Sequence, residues 1–182
     1  GAVLCWPGRS HAVAYQIGAL RGMANYSGEK VTHLKPHGAM NNIAAEEPEV
    51  AMAIGRAIKA VDSNIIYVAL SGSEMERAAV KLDLPLAREG FADRHYDDEG
   101  NLASRKIEGT VIKDAELTKE RAIRMVVDGE IITLSGKTIK RQIDTICVHG
   151  DEPTSLLVAR AIREGLEGVG VSVVPLPEMS VV

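Results

Sequence analysis

Aromatic side chains are scarce, at 3% of 182 residues with one Phe and one Trp. The core must therefore be built from Ala, Val, Ile and Leu, a composition that suits buried parallel strands flanked by helices. No basic block is present, aromatics do not interleave with Lys or Arg, and the net charge is −4. That pattern disfavours nucleic-acid binding. No stretch of about 18 apolar residues exists, so no membrane-spanning helix is expected. Only two cysteines occur, Cys5 and Cys147, far apart and isolated. They read as reduced thiols, Cys147 as a buried strand residue. The opening Gly1-Ala2-Val3-Leu4-Cys5-Trp6-Pro7 has no basic region ahead of it, so no secretory signal is expected and the expected location is the cytoplasm. Repeats, low-complexity tracts and linkers are lacking, which predicts one domain over residues 1–182.

What is there alternates between two periods. Ser10 can cap a first helix to about Tyr26, with Gly28 just past its end. A short strand is expected over 32–35, then a helical pattern over 42–61 restarted at Pro48. Residues 64–70 form a continuous apolar strand. Ser71-Gly72-Ser73-Glu74 has capping-box spacing, and a helix should follow to about Lys81. A strand is expected over 86–92, and a long polar loop over 93–113. Asp114 can cap a helix to Asp128, stopped by Gly129. Residues 130–141 alternate around Ser135-Gly136, a hairpin signal. A strand over 145–148, a helix over 153–166 and a last strand over 171–174 complete the chain. Strands alternating with helices imply right-handed units and a parallel sheet, with functional residues at the carboxyl ends of the strands. A closed eight-unit barrel usually takes roughly 250 residues, so an open sheet or an incomplete barrel is expected.

Three strand exits carry polar residues at i, i+2 spacing. Lys35 and His37 lie in Lys35-Pro36-His37-Gly38-Ala39-Met40-Asn41-Asn42. Strand alternation places both on one face, and Pro36 should end the pairing. Glu89 and Asp93 are in phase in Glu89-Gly90-Phe91-Ala92-Asp93-Arg94. His149-Gly150-Asp151 is the third. Parallel strands point these ends one way, so the groups could converge on one ligand. Lys or Arg suits a carboxylate or phosphate, and His or a carboxylate can move protons. Blander readings stand beside these. Asp151 is a credible N-cap. His149 could end its strand by donating to a backbone carbonyl. Arg94 with Asp93 or Asp97 could be a surface ion pair. Glu89 and Lys35 could pair structurally. Ser71 reads as a cap, and His11 and His33 as structural. His37, His149, Glu89, Asp93 and Asp151 are metal-ligand types, but no short ligand motif exists, and no tightly bound metal is expected.

The Lys35–Asn42 run resembles the KPHGALYN motif of the LamB/YcsF family. Tyr15-Gln16-Ile17-Gly18-Ala19-Leu20 is similar to that family's YQIGAL helix. Glu89 to Tyr96 is similar to EVFADRAY, and Thr145 to Asp151 to TICVHGD. Four motifs in the same order cover nearly the whole chain. The resemblance implies an α/β fold, a β/α-barrel of the glycoside hydrolase/deacetylase type. This chain would be incomplete at its N-terminus and would carry a small β-hairpin insertion. The resemblance also implies a role in ATP-dependent opening of the 5-oxoproline lactam to glutamate, with 5-oxoprolinase subunits B and C as partners, ATP with Mg2+ as co-substrate, and a homo-oligomer as an option. It implies Lys35, His37, Glu89, Asp93, Arg94, His149 and Asp151 as catalytic candidates, and Gly38, Asn41 and Arg105 as substrate-binding ones. Alternatives are a metal-dependent deacetylase or amidohydrolase acting without ATP, and a non-catalytic binding or scaffold subunit. The family's opening DLNCDLGE and CGFHAGD segments have no counterpart here, and Trp6-Pro7-Gly8-Arg9 only loosely resembles its HPGYPD region. The chain thus resembles about the C-terminal three quarters of a member. Met40 and Asn41 replace the usual Leu and Tyr.

Overall fold

The computed structural model describes residues 6–104, 106–150 and 153–179. It divides into two compact units, residues 1–87 with 176–182, and residues 88–175. Among the described residues, no helix is long and apolar enough to cross a membrane.

The first unit opens with α1, Trp6–Tyr26. The helix starts earlier than Ser10 because Pro7 falls in the first turn, where its missing N–H costs nothing. Ser10 is therefore not a cap. It lies inside the helix, and its hydroxyl donates to the Ala53 carbonyl at 3.0 Å, tying α1 to α3. At the other end Gly28 N–H donates to Asn25 O and Glu29 N–H to Ala24 O, a Schellman closure around the Gly28 turn. Next come β1 (His33–Leu34), α2 (Ala39–Glu46) and α3 (Pro48–Val61). Pro48 does restart the helix, at its first position. Val50, Ile54, Ala57 and Ile58 of α3 are buried, the i, i+4, i+7, i+8 stripe of a helix with one apolar face. That face packs against α1, α2 and α4.

Strand β2, Ile66–Leu70, is buried at every residue, as a strand covered on both faces must be. It runs parallel to β1, with His33 opposite Ile66 and Leu34 opposite Tyr67. Tyr67 N–H donates to the Pro85 carbonyl at the entry to β3, Leu86–Phe91. Ile66, Val68 and Ala87 form one cluster with Leu176 packed on it. Between β2 and β3 lies α4, Glu74–Lys81. Its N-cap is Ser73, which accepts from Met75 N–H at 3.2 Å, while Glu76 accepts from Gly72 N–H at 2.5 Å. The capping pair is thus Ser73 with Glu76, two residues later than the spacing from Ser71 to Glu74 suggested. Ser71 is buried in the turn before it. Ser73→Ala is expected to cost about 1 kcal/mol, read as a lower midpoint in urea unfolding. An unchanged midpoint would assign the helix start to Glu76 alone.

The second unit holds the rest of β3. It pairs in parallel with β6, Thr145–Cys147. Asp144 fastens the entry of this pair: its carboxylate accepts from Arg88 N–H at 2.9 Å, and its own N–H donates to Arg88 O at 2.8 Å. The polar stretch after β3 is irregular, but two isolated antiparallel bridges pin it, Arg94 with Val111 and Tyr96 with Leu102. Helix α5, Ala115–Ile123, is capped by Asp114, which accepts from Leu117 N–H at 2.9 Å. It runs into a π-helical turn, Arg124–Asp128. Gly129 then turns the chain at φ +63°, and a Cβ there would stand 3.0 Å from the Arg141 carbonyl oxygen. Only glycine meets both demands. The hairpin β4 (Glu130–Ile132) and β5 (Thr138–Lys140) is the expected insertion. Helix α6, Ser155–Gly168, packs on α5. It begins at Ser155 rather than Pro153, with Thr154 in the cap position.

Two further expectations fail. Residues 171–174 form no strand: Val173 and Val174 are 40% and 44% exposed, and among the described residues they join no ladder. Valine favours a pleated surface, but a strand requires a neighbour to take its backbone groups. Cys147 is half-buried rather than buried, and Cys5 lies outside the described residues.

Candidate active site

The parallel register of β3 and β6 sets the heart of the site. Phe91 stands opposite Cys147, so the residues two steps beyond each strand end, Asp93 and His149, come out level. Their side chains meet: Asp93 Oδ2 and His149 Nδ1 are 2.7 Å apart. The same oxygen lies 3.4 Å from the His149 backbone N–H. Asp93 is only 6% exposed. A buried carboxylate needs donors, and an aspartate oxygen facing Nδ1 draws the ring proton to that nitrogen. Nε2 is then the nitrogen with a lone pair to offer. The Phe91 ring lies against the imidazole with centroids 5.7 Å apart, fixing its tilt. His149 therefore does not merely end its strand on a backbone carbonyl.

Glu89, in β3, is 4% exposed, and Arg94 is 6% exposed. Arg94 is too buried for a surface pair, and its guanidinium donates to the Ala103 carbonyl at 2.5 Å. Tyr96 is fully buried and accepts the Phe91 N–H at 2.8 Å. Burial pushes its phenol far above the usual range, so it stays a neutral hydroxyl with Glu89 and Asp93 nearby. Arg121 of α5 donates from Nε to Ala92 O at 3.0 Å and from Nη2 to Arg94 O at 2.9 Å. Burial lowers its pKa from the ordinary value, opposed by Tyr96 and Asp93.

Sequence reasoning passed over Arg121 and Tyr96. Arg121 sits in a charged stretch that reads as a solvated face. Yet Thr118 and Ala122 are buried on the same helix, as is Met125 in the π-helical turn that continues it, and Arg121 is three residues from Thr118, on the flank of that stripe. The spacing was the available signal.

Lys35, His37, Gly38 and Asn41 belong to the first unit. Because β1 stops at Leu34, strand alternation does not carry Lys35 and His37 to one face. Lys35 is half-buried, Pro36 buried and His37 exposed. Gly38 holds φ +62° and ψ −137° before α2, a conformation closed to residues with a Cβ. Asn41 is buried in α2. Arg105 and Asp151 lie outside the described residues. Among the described residues, no group of three His, Cys, Asp or Glu side chains gathers as a metal-binding cluster.

His95 tests the electrostatics next to Asp93. Burial, and then the Arg121 charge, hold its imidazole below the ordinary value. A histidine depressed in the fold takes up its proton first in the unfolded chain. Its contribution is thus fully present above about pH 6.5 and is lost as pH falls toward the lower folded value. The unfolding midpoint should fall between about pH 7 and pH 5, and His95→Gln should fall less over the same interval. Equal slopes would remove His95 from the acid response.

The comparisons with known proteins decide the family. The model of the LamB/YcsF family matches residues 9–181. The chain belongs to the LamB/YcsF family. A relative from Rhodopseudomonas palustris (strain BisB18), named as the A subunit of 5-oxoprolinase, is 48% identical over 163 residues, 90% of this chain and 64% of the relative. A protein of the same name from Gluconobacter oxydans is 48% identical over 161 residues, 88% of this chain and 63% of its own length. The chain thus spans less than two thirds of these LamB/YcsF relatives. A solved lactam utilization protein from Thermus thermophilus is 39% identical, with TM-score 0.86 over 94% of this chain and 68% of its own. The parallel α/β fold of this family member is therefore the one expected from the motifs.

Proposed function

We infer that this chain carries part of the acid–base site of a 5-oxoprolinase A subunit, which opens the lactam of 5-oxoproline to glutamate. The observation that carries the chemistry is the 2.7 Å contact between Asp93 and His149 at the paired ends of β3 and β6. The names of relatives at 48% identity support the substrate, and do not favour the deacetylase or scaffold alternatives.

An unstrained lactam resists water because its amide is resonance-stabilised. Opening it needs a base for the water and a proton for the departing nitrogen. His149 fits both steps. Asp93 holds Nδ1–H, Nε2 takes the proton of the attacking water, and the imidazolium so formed returns a proton to the ring nitrogen as the C–N bond breaks. Asp93 also stabilises that imidazolium by charge. ATP, with Mg2+, is proposed as co-substrate of the complex and would activate the amide oxygen by phosphorylation. No residue here is assigned to it. Subunits B and C are proposed as partners. Glu89 and Arg94 are proposed as further site groups. Lys35, His37, Gly38, Asn41, Arg105 and Asp151 are proposed on the family resemblance.

The test is to combine the full-length protein with subunits B and C, 5-oxoproline and ATP, and to measure glutamate. No glutamate above the level given by B and C alone sinks the reading. A His37→Ala variant with full activity removes His37 from the site.

A further inference from the structure

We propose that Arg121 is a positioning residue that sets the Asp93–His149 pair, an inference that rests on reading this pair as the acid–base group. The backbone around Asp93 is held at three successive carbonyls. Arg121 Nε donates to Ala92 O at 3.0 Å and Arg121 Nη2 to Arg94 O at 2.9 Å. Ile112 N–H donates to Asp93 O between them, at 2.8 Å. β3 has ended at Phe91, and past it the backbone is tied by the isolated Arg94–Val111 bridge and by Arg121. Their position depends on donors from outside the strand.

Geometry gives the reason for arginine. The two carbonyls that flank Asp93 are reached by two nitrogens of one rigid planar fork, which an ammonium cannot reproduce. One side chain therefore fixes the peptide unit before Asp93 and the unit after Arg94, Ile112 N–H holds the unit between them, and together they set the direction in which the Asp93 carboxylate leaves the chain. That direction matters because Asp93 Oδ1 is buried and finds no hydrogen-bond partner. The carboxylate is held through Oδ2, by His149. A small rotation of the Asp93 backbone would release it. Arg121 also borders a cleft of about 550 Å3 lined by Leu117, Met125 and Ile132 among others, so a shorter or less branched cation there can remain hydrated.

The readout is the tautomer of His149. Ring-nitrogen NMR shifts in protein labelled with 15N-histidine distinguish Nδ1–H from Nε2–H, and a His149→Gln sample assigns the signals. The wild-type chain should show His149 as the single Nδ1–H tautomer when neutral, and Asp93→Asn should lose it. Arg121→Lys, which keeps the charge but not the fork, is expected to give a mixture of tautomers while its thermal unfolding stays cooperative. Arg121→Gln is measured beside it and should behave alike. A single Nδ1–H tautomer in folded Arg121→Lys and Arg121→Gln overturns the proposal and leaves the functional reading standing. A mixture already present in the wild type removes the fixed pair, and with it both the proposal and the acid–base reading. If neither variant folds, Arg121 is a folding residue and the positioning assignment is overturned.

Discussion

Replacing His149 by alanine is expected to slow the proposed lactam opening by about 10²–10⁴-fold, the usual contribution of a positioned general acid–base group. The effect should fall on turnover, because in the proposed role Nε2 acts on water and on the departing nitrogen rather than on the bound substrate alone. His149→Ala also leaves Asp93 buried beside an empty ring site, with both carboxylate oxygens short of a side-chain donor. Some loss of stability follows, of about 1–3 kcal/mol for an unsatisfied buried group. Rate and stability are therefore measured together. Glutamate formation is followed with the partner subunits and ATP, and unfolding is followed by circular dichroism. Asp93→Asn separates the two. It keeps the volume but can present its amide N–H to Nδ1, which favours the wrong tautomer. Its rate should fall with little change in the melting temperature. A near-wild-type rate in either variant would show that the pair is only a structural link between β3 and β6.

Ile54→Ala should cost about 2–5 kcal/mol of stability. Ile54 is 1% exposed. It lies midway along α3, the helix that packs against α1, α2 and α4. Removing its branched chain forfeits burial worth about 1.5–3 kcal/mol and leaves a cavity that three packed helices cannot close. For a chain of this size the thermal midpoint moves about 2–4 °C per kcal/mol. Calorimetry or a denaturant titration reads it directly. A loss below about 1 kcal/mol would mean that α3 can collapse onto the vacated space.

Most element identities were legible, because they depend on local chemistry. Pro48 at a first helical position, Asp114 accepting from Leu117 N–H, Gly129 at positive φ and Gly136 in the β4–β5 hairpin each act within a few residues of themselves. The apolar run of β2 fixes its burial in the same way. The errors arose where a local signal had two solutions. Ser71 and Ser73 can both cap, and Glu76 rather than Glu74 selects Ser73. Ser10 can cap or lie inside a helix, and Pro7 together with the Ala53 carbonyl selects the second. Residues 171–174 have strand propensity but no partner among the described residues.

The sequence by itself determined the family, through four motifs in order, and the residue types of the candidate chemistry. It also placed Asp93 and His149 just beyond strand ends, because apolar runs and their limits are written in the chain. Only the tertiary structure decided that these two meet. The register of β3 on β6 is a long-range choice, made by Phe91 facing Cys147 and by Asp144 fastening Arg88, and no local pattern encodes it. The fold also turned Arg121 from a surface charge into the donor that grips both carbonyls around Asp93. A helix periodicity tells which flank a residue occupies, but the backbone that this flank will meet is set by the packing of α5 alone.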